Sequence, residues 1–230
     1  MEEFLMTGFK GRYGNILPIL FFMLIFSGIF NACYYDYGLS PKDLDVVITF
    51  YKQDIDFSKY KTYAMPDEIE HIIQEGEEDN VDTQFDALIL EEIVKQMGAL
   101  GYTRQTNPAL IPDRNFDLVL SVAATSSTNM TAYYNYYWGG YWGYWGYGPG
   151  WGVYYPPYWG ISNVVEYRTG TLLINLIDPD LSDEANKQLG SIWIGTINGL
   201  LDDTPANVRI RLKTEIGRCF AQSPYLGVSN

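Results

Sequence analysis

The sequence predicts an α+β fold: one antiparallel β-sheet, two helices packed on one of its faces, and a long aromatic, glycine-rich loop inserted between central strands. Three observations lead there. Two stretches carry apolar residues at helical spacing, Phe85–Leu100 and Val208–Phe220. Several β-rich runs lie beside one another in hairpin-like order. One uncharged segment too long for an ordinary turn separates two of those runs. Strands grouped with helices at two points favour a sheet covered on one side over an alternating parallel fold.

The amino terminus comes before any of these. Residues 16–30 read ILPILFFMLIFSGIF, without charge, and Lys10 and Arg12 precede them. A basic region followed by an apolar stretch of this length describes a secretory signal. It is shorter than the roughly 20 residues that a spanning helix requires. Phe30-Asn31-Ala32-Cys33 follows and resembles the lipobox of bacterial lipoproteins, in which the cysteine after the cleavage site takes a diacylglycerol. More than one acyl chain holds a protein stably, since each buried CH₂ contributes about 0.8 kcal/mol. The reading is therefore a signal peptide over residues 1–32, lipidation at Cys33, and an anchor on a membrane of the cell envelope, the outer membrane above others. An uncleaved signal anchor with an incidental Cys33 is the other reading of the same residues.

The chain has two cysteines, Cys33 and Cys219. Acylation of Cys33 leaves Cys219 as a lone thiol on the apolar face of the last helix, a small core residue. Residues 33–45 are polar and turn-rich and read as a tether.

The domain is expected over residues 46–222, with 223–230 as a tail. Val46–Lys52 is β-branched and partly alternating, a strand. Tyr60–Met65 is a second extended segment. Residues 67–82 hold eight acidic side chains and no Lys or Arg, and read as a solvated loop with a helical turn around Ile69–Ile73. Asp82 is placed to cap a helix running to Leu100. Phe85, Leu88, Ile89, Ile93, Met97 and Leu100 form its apolar stripe, Glu91, Glu92 and Lys95 lie elsewhere, and Gly101 ends it. Phe116–Ala124 reads as a buried strand. Val164–Asp178 is another, ending at the turn Asp178-Pro179-Asp180, and Leu189–Leu200 is its antiparallel partner. Thr204 and Pro205 are an N-cap and first helical residue. Val208, Leu212, Ile216 and Phe220 are the stripe of the last helix.

The chain of 230 residues carries a net charge of −13, and removing residues 1–32 leaves that value unchanged. Such a surface repels nucleic-acid phosphates and anionic headgroups, which argues against a nucleic-acid partner. The single histidine, His71, makes no zinc site, which requires three or four N or S ligands. The run Glu75–Asp82 lacks the spacing of a calcium loop. No nucleophile elbow, phosphate loop or Cys–His pair is present. No enzyme, cofactor or metal is expected.

The inserted segment spans 129–161. Tyr133–Trp159 within it holds ten Tyr, five Trp, seven Gly and three Pro, and residues 118–165 have no charged side chain. Trp138, Tyr141, Trp142, Tyr144, Trp145, Trp151 and Trp159 are the candidate binding residues. Such rings stack on sugars, or meet a protein or a membrane interface with one end wet and one apolar. A low-complexity loop with no fixed partner is the plain alternative. The expected partners are thus a membrane through the lipid anchor and an envelope protein or a glycan.

Several segments together resemble the DUF4136 family of bacterial lipoproteins, whose function is unknown. They are Asp56-Phe57-Ser58-Lys59-Tyr60-Lys61-Thr62-Tyr63, the helix closing in Leu100-Gly101-Tyr102, Phe116-Asp117-Leu118-Val119, Glu166-Tyr167 with Gly170-Thr171-Leu172 and Asp178, and Trp193-Ile194-Gly195. Met65 departs from the family's usual Trp, and the aromatic insertion is longer than usual. The resemblance implies export and an α+β fold over roughly residues 46–222. It brings no catalytic residue, so Tyr63 and Trp193 are read as core.

Overall fold

The computed structural model describes residues 46–72, 78, 82–106, 115–125, 151–154, 170–199 and 204–228. The signal region, Cys33 and the tether lie outside them. So do most of the aromatic segment and the first part of the Val164–Asp178 stretch.

Among the described residues eight strands form one sheet: β1 (Val46–Tyr51), β2 (Thr62–Ala64), β3 (Glu70–Ile72), β4 (Thr103–Arg104), β5 (Leu118–Thr125), β6 (Gly152–Tyr154), β7 (Thr171–Asp183) and β8 (Gln188–Asn198). Among the described residues the α-helices are α1 (Asp86–Ala99) and α2 (Pro205–Ala221). The order across the sheet is β1-β8-β7-β5-β2-β4, with β3 also on β5 and β6 also on β8.

The fold is α+β, as expected, but the sheet is mixed rather than purely antiparallel. Its centre, β1-β8-β7-β5, is antiparallel. Its margins are parallel: β2 and β3 on β5, β4 on β2, and β6 on β8. The reason lies in the connections. The chain passes from β2 and β3 through α1 to β5, and a helical crossover returns a strand in the same direction.

Residues 67–82 depart from the loop reading at β3. Ile69 and Ile72 are buried, and Glu70–Ile72 pairs with Ala123–Thr125. Acidic neighbours hid a short strand whose apolar side chains face inward. The expected turn at Asp178-Pro179-Asp180 is also corrected, because β7 runs on to Asp183. The register shifts between Asp178 and Asp183, so Pro179 sits where the ladder is already broken. The hairpin turns instead at residues 184–187, where Lys187 adopts φ 53°.

Helix signals performed as physical chemistry requires. The Asp82 carboxylate accepts from Gln84 N at 3.0 Å and opens a 3-10 turn, Thr83–Phe85, that leads into α1. Gly101 follows α1 at φ 95°, a conformation that costs glycine little. Thr204 caps α2 and Pro205 starts it. The stripe Val208, Leu212, Ile216, Phe220 is buried throughout. Glu92, assigned to the outer face of α1, is only 5% exposed. It accepts from Lys95 Nζ and from Gln96 Nε2, so its charge is met where the helices pack.

One set of alternating strand residues joins the helices in the main core: Leu118, Leu120, Val122, Leu172, Ile174, Leu176, Trp193 and Ile197. Burying such side chains contributes roughly 1.5–3 kcal/mol each. The residues read as a tail close this core. Leu226 is fully buried, and Val228 N donates to Leu100 O at 2.9 Å.

Asp117 ties β2 to β5 before they pair. Its Oδ2 accepts from Lys61 N at 2.7 Å, Thr62 N at 2.8 Å and Thr62 Oγ1 at 3.0 Å. Burial pushes its carboxyl up, but those N–H groups and the Thr62 hydroxyl outweigh it and hold it below the usual range. A depressed folded pKa means stability present at neutral pH and lost as pH falls through the folded value, which lies below that of a free aspartate. Asp117→Asn should cost about 1 kcal/mol at pH 7, a charge-assisted value reduced for its exposed position. The loss should fade toward pH 3. Equal loss at both pH values in urea melts would refute this account.

Candidate functional site

The segment with the most distinctive chemistry is held by the sheet at two places. Its first end leaves β5 after Thr125, and its last end enters β7 at Thr171. These residues are register partners, so both ends lie at one end of the sheet. Hydrogen bonds secure that end. Thr125 Oγ1 donates to Ile72 O at 2.9 Å, and Thr171 Oγ1 donates to Asn198 Oδ1 at 2.9 Å. Val46, where β1 begins, pairs with Asn198 and so belongs to the same end. Three strand spacings, about 15 Å, separate β1 from β5.

Between its ends the segment is held at the far side. Gly152–Tyr154 forms β6 and pairs with Gln188–Gly190. Gly190 also pairs with Asp178, seven residues along β7 from Thr171, a distance of about 23 Å. Gly190 permits this crowding: a Cβ there would lie 2.8 Å from the Leu181 Cβ. Leu181 and Tyr154 are both exposed there.

Of the candidate rings, only Trp151 is among the described residues. It is half-buried and directly precedes β6. Trp138, Tyr141, Trp142, Tyr144, Trp145 and Trp159, like Cys33, lie outside them. Tyr63 and Trp193 are core residues, 1% and 0% exposed.

A cleft beside the first end is lined by Asp82, Phe85, Ile89, Thr125, Thr171 and Leu212, among others. Its floor is apolar, and Asp82 is committed to capping. No group of three or more metal-ligating side chains occurs among the described residues. Cys219 is fully buried, and burial pushes its thiol up to about 12. Thiolate is the reactive form. Cys219 should therefore resist a maleimide at pH 7 in the folded protein and react on unfolding, read by intact mass. Rapid native labelling would contradict the packing.

A further set of residues escaped the sequence reading. Ser121, Asn175 and Thr196 are fully buried, and their side chains make no hydrogen bond among the described residues. Asn175, a lone amide within the apolar run Leu172–Ile177, was the available signal.

The family model for a domain of unknown function, DUF4136, matches residues 47–225. The chain belongs to the DUF4136 family. A DUF4136 family protein from Bacteroides thetaiotaomicron, known from a crystal structure, has the same fold. It is 23% identical, with a TM-score of 0.59, and the match covers 80% of this chain and 98% of that one. A PelC dodecamer from Paraburkholderia phytofirmans matches at 12% identity and TM-score 0.40, covering 80% of this chain and 99% of that one. No curated protein matches. The DUF4136 match begins at the second residue of β1 and ends next to Leu226, so it spans the sheet, both helices and the aromatic insertion.

Proposed function

We propose that this chain is an exported lipoprotein, cleaved before Cys33 and acylated there, whose DUF4136 domain is a non-enzymatic scaffold in the cell envelope. The outer membrane is the anchoring site, and the aromatic rings of 133–159 are the contact surface for another envelope component. One observation carries this reading. The start of β1 and both ends of the aromatic segment share one end of the sheet. Val46 stands thirteen positions after Cys33, a reach of at most about 45 Å. An anchor at Cys33 therefore keeps the roots of the aromatic segment near the membrane.

Cys33→Ser should release the protein from membranes or leave it uncleaved, with loss of palmitate labelling. Unchanged processing and retention would overturn the anchor. Deleting 133–150, which keeps β6, should remove a partner that co-purifies from envelope fractions. If every partner remains bound, the rings are not the contact. A shift of Trp emission on adding cell-wall or capsular sugars would instead assign the same rings to glycan binding.

A further inference from the structure

The sheet ends in two very different edges. The order β1-β8-β7-β5-β2-β4 puts β4 at one margin and β1 at the other. β4 is two residues long and carries Arg104, whose guanidinium donates to the Met65 carbonyl at 2.8 Å. Short length and a charge are the usual guards of an exposed edge. β1 has neither. It reads VVITFY, six residues without charge or proline, and its register with β8 runs unbroken from Val46 to Tyr51. Lys52 N donates to Ile192 O at 2.9 Å, which sets the phase of this ladder. Val46, Ile48 and Phe50 therefore turn their backbone groups toward β8, and Val47, Thr49 and Tyr51 turn theirs outward. Among the described residues no strand pairs with that outer side. The outward residues keep their side chains off it: Val47 packs against the helix-side core, and the Tyr51 ring stacks on Tyr225 at 4.0 Å.

We infer that β1 is an interaction edge that pairs with β1 of a second copy of this chain, antiparallel about a two-fold axis at Thr49, so that two sheets join into one. The strand is complementary to itself in that register. A two-fold axis normal to the sheet keeps each face on its own side, so even positions meet even ones and odd meet odd. Centring at Thr49 engages every outward residue: Thr49 meets Thr49, and Val47 meets Tyr51 on either side of it. Each such pair exchanges two hydrogen bonds. The opposed side chains are Thr with Thr, Val with Tyr, and Ile48 with Phe50, combinations that stabilise neighbouring strands. Centring at Ile48 instead leaves Tyr51 opposite no residue of the second β1. Charge agrees. Each chain carries −13, which repels another copy over most of its surface, and the six residues of β1 bring no carboxylate to the contact. Six residues bury less than the roughly 800 Å² per partner of a standard interface, so the pair is a weak one that forms as concentration rises. The inference goes beyond the proposed function and does not depend on the anchor.

Sedimentation equilibrium of the full chain in density-matched detergent tests it. The wild type should pass from monomer to dimer as concentration rises, with no larger species, because a two-fold contact closes on itself. In this register Val46 stands opposite Lys52 of the second copy, on the same face. Val46 is exposed, so its replacement leaves the core untouched. Lys52 Nζ is held only by the exposed Asp54, at 2.6 Å, a surface pair of little strength. Val46→Glu should tighten the dimer several-fold, and Val46→Lys should weaken it by a similar factor. Net charge alone predicts the reverse order, since an added lysine lowers the repulsion between two acidic chains. Thr49→Pro should abolish the dimer, because it removes an outward N–H that β8 does not use. Circular dichroism and the unfolding midpoint check that each variant is folded. A wild type that stays monomeric throughout would overturn the inference. So would the reverse order of the two Val46 variants, or a dimer that Val46→Lys and Thr49→Pro leave intact, which puts the contact on another surface. If Thr49→Pro fails to fold, the opposite signs of Val46→Glu and Val46→Lys decide the matter alone.

Discussion

Trp193→Ala is expected to lower the free energy of unfolding by about 3–5 kcal/mol, the range for emptying a large aromatic site. Trp193 is fully buried in the helix-side core. Its ring lies 5.4 Å from that of Phe220 on α2, and its Nε1 donates to Ser223 Oγ at 2.9 Å. One side chain thus joins β8 to the end of α2 by both packing and a hydrogen bond. Trp193→Phe keeps most of the packing and isolates the bond, so it should cost less, about 1–2 kcal/mol. Denaturant titration of both variants checks the pair. A loss below 1 kcal/mol for Trp193→Ala would show that the site collapses, and the anchoring role would fall with it.

Gly195→Ala is the second large effect, from one added carbon. A Cβ at Gly195 would overlap Cys219 Sγ and stand 2.8 Å from Trp193 Cη2. Both neighbours are fully buried, so neither can swing into solvent. Overpacking of this kind costs roughly 1–3 kcal/mol and sometimes more. We expect the upper end, about 3 kcal/mol, since α2 must shift away from β8 to make room. Cys219→Ala shortens the obstructing side chain. The double variant should therefore lose less than the two single losses combined, a coupling visible in a double-mutant cycle. Simple additivity would mean that the sulfur is not the obstacle.

Much of the helical layer was legible in residue spacing. Asp82, Gly101, Thr204 and Pro205 marked helix ends through groups that satisfy or end the backbone ladder, a local matter. The stripe Val208, Leu212, Ile216, Phe220 showed itself because a helix samples one face every three to four residues. Glu92 was misplaced because periodicity assigns a face but cannot see Lys95 and Gln96 closing on the carboxylate. Glu70–Ile72 was missed because three residues are too few for a period, and only β5 makes them a strand. The Asp178-Pro179-Asp180 sequence looked like a turn, yet the register shift against β8 let the strand continue.

The candidate site divides in the same way. Cys33 and the rings from Trp138 to Trp159 stand out by residue type and by absence of charge, which need no fold to notice. The Ser121, Asn175, Thr196 row does not stand out, because it comes from three strands and exists only in register.

What the sequence by itself determined is the α+β class, both helices with their ends and buried faces, the main strands, and the family. Each follows from local propensity and short-range periodicity, which the chain carries wherever it goes. Tertiary structure alone decided that the sheet is mixed, that β3 and β6 join it, and that the start of β1 meets both roots of the aromatic segment at one end. Those are pairings between residues distant in the chain. Hydrogen-bond ladders and side-chain packing choose them only once the strands are brought together, and no single stretch of residues contains the choice.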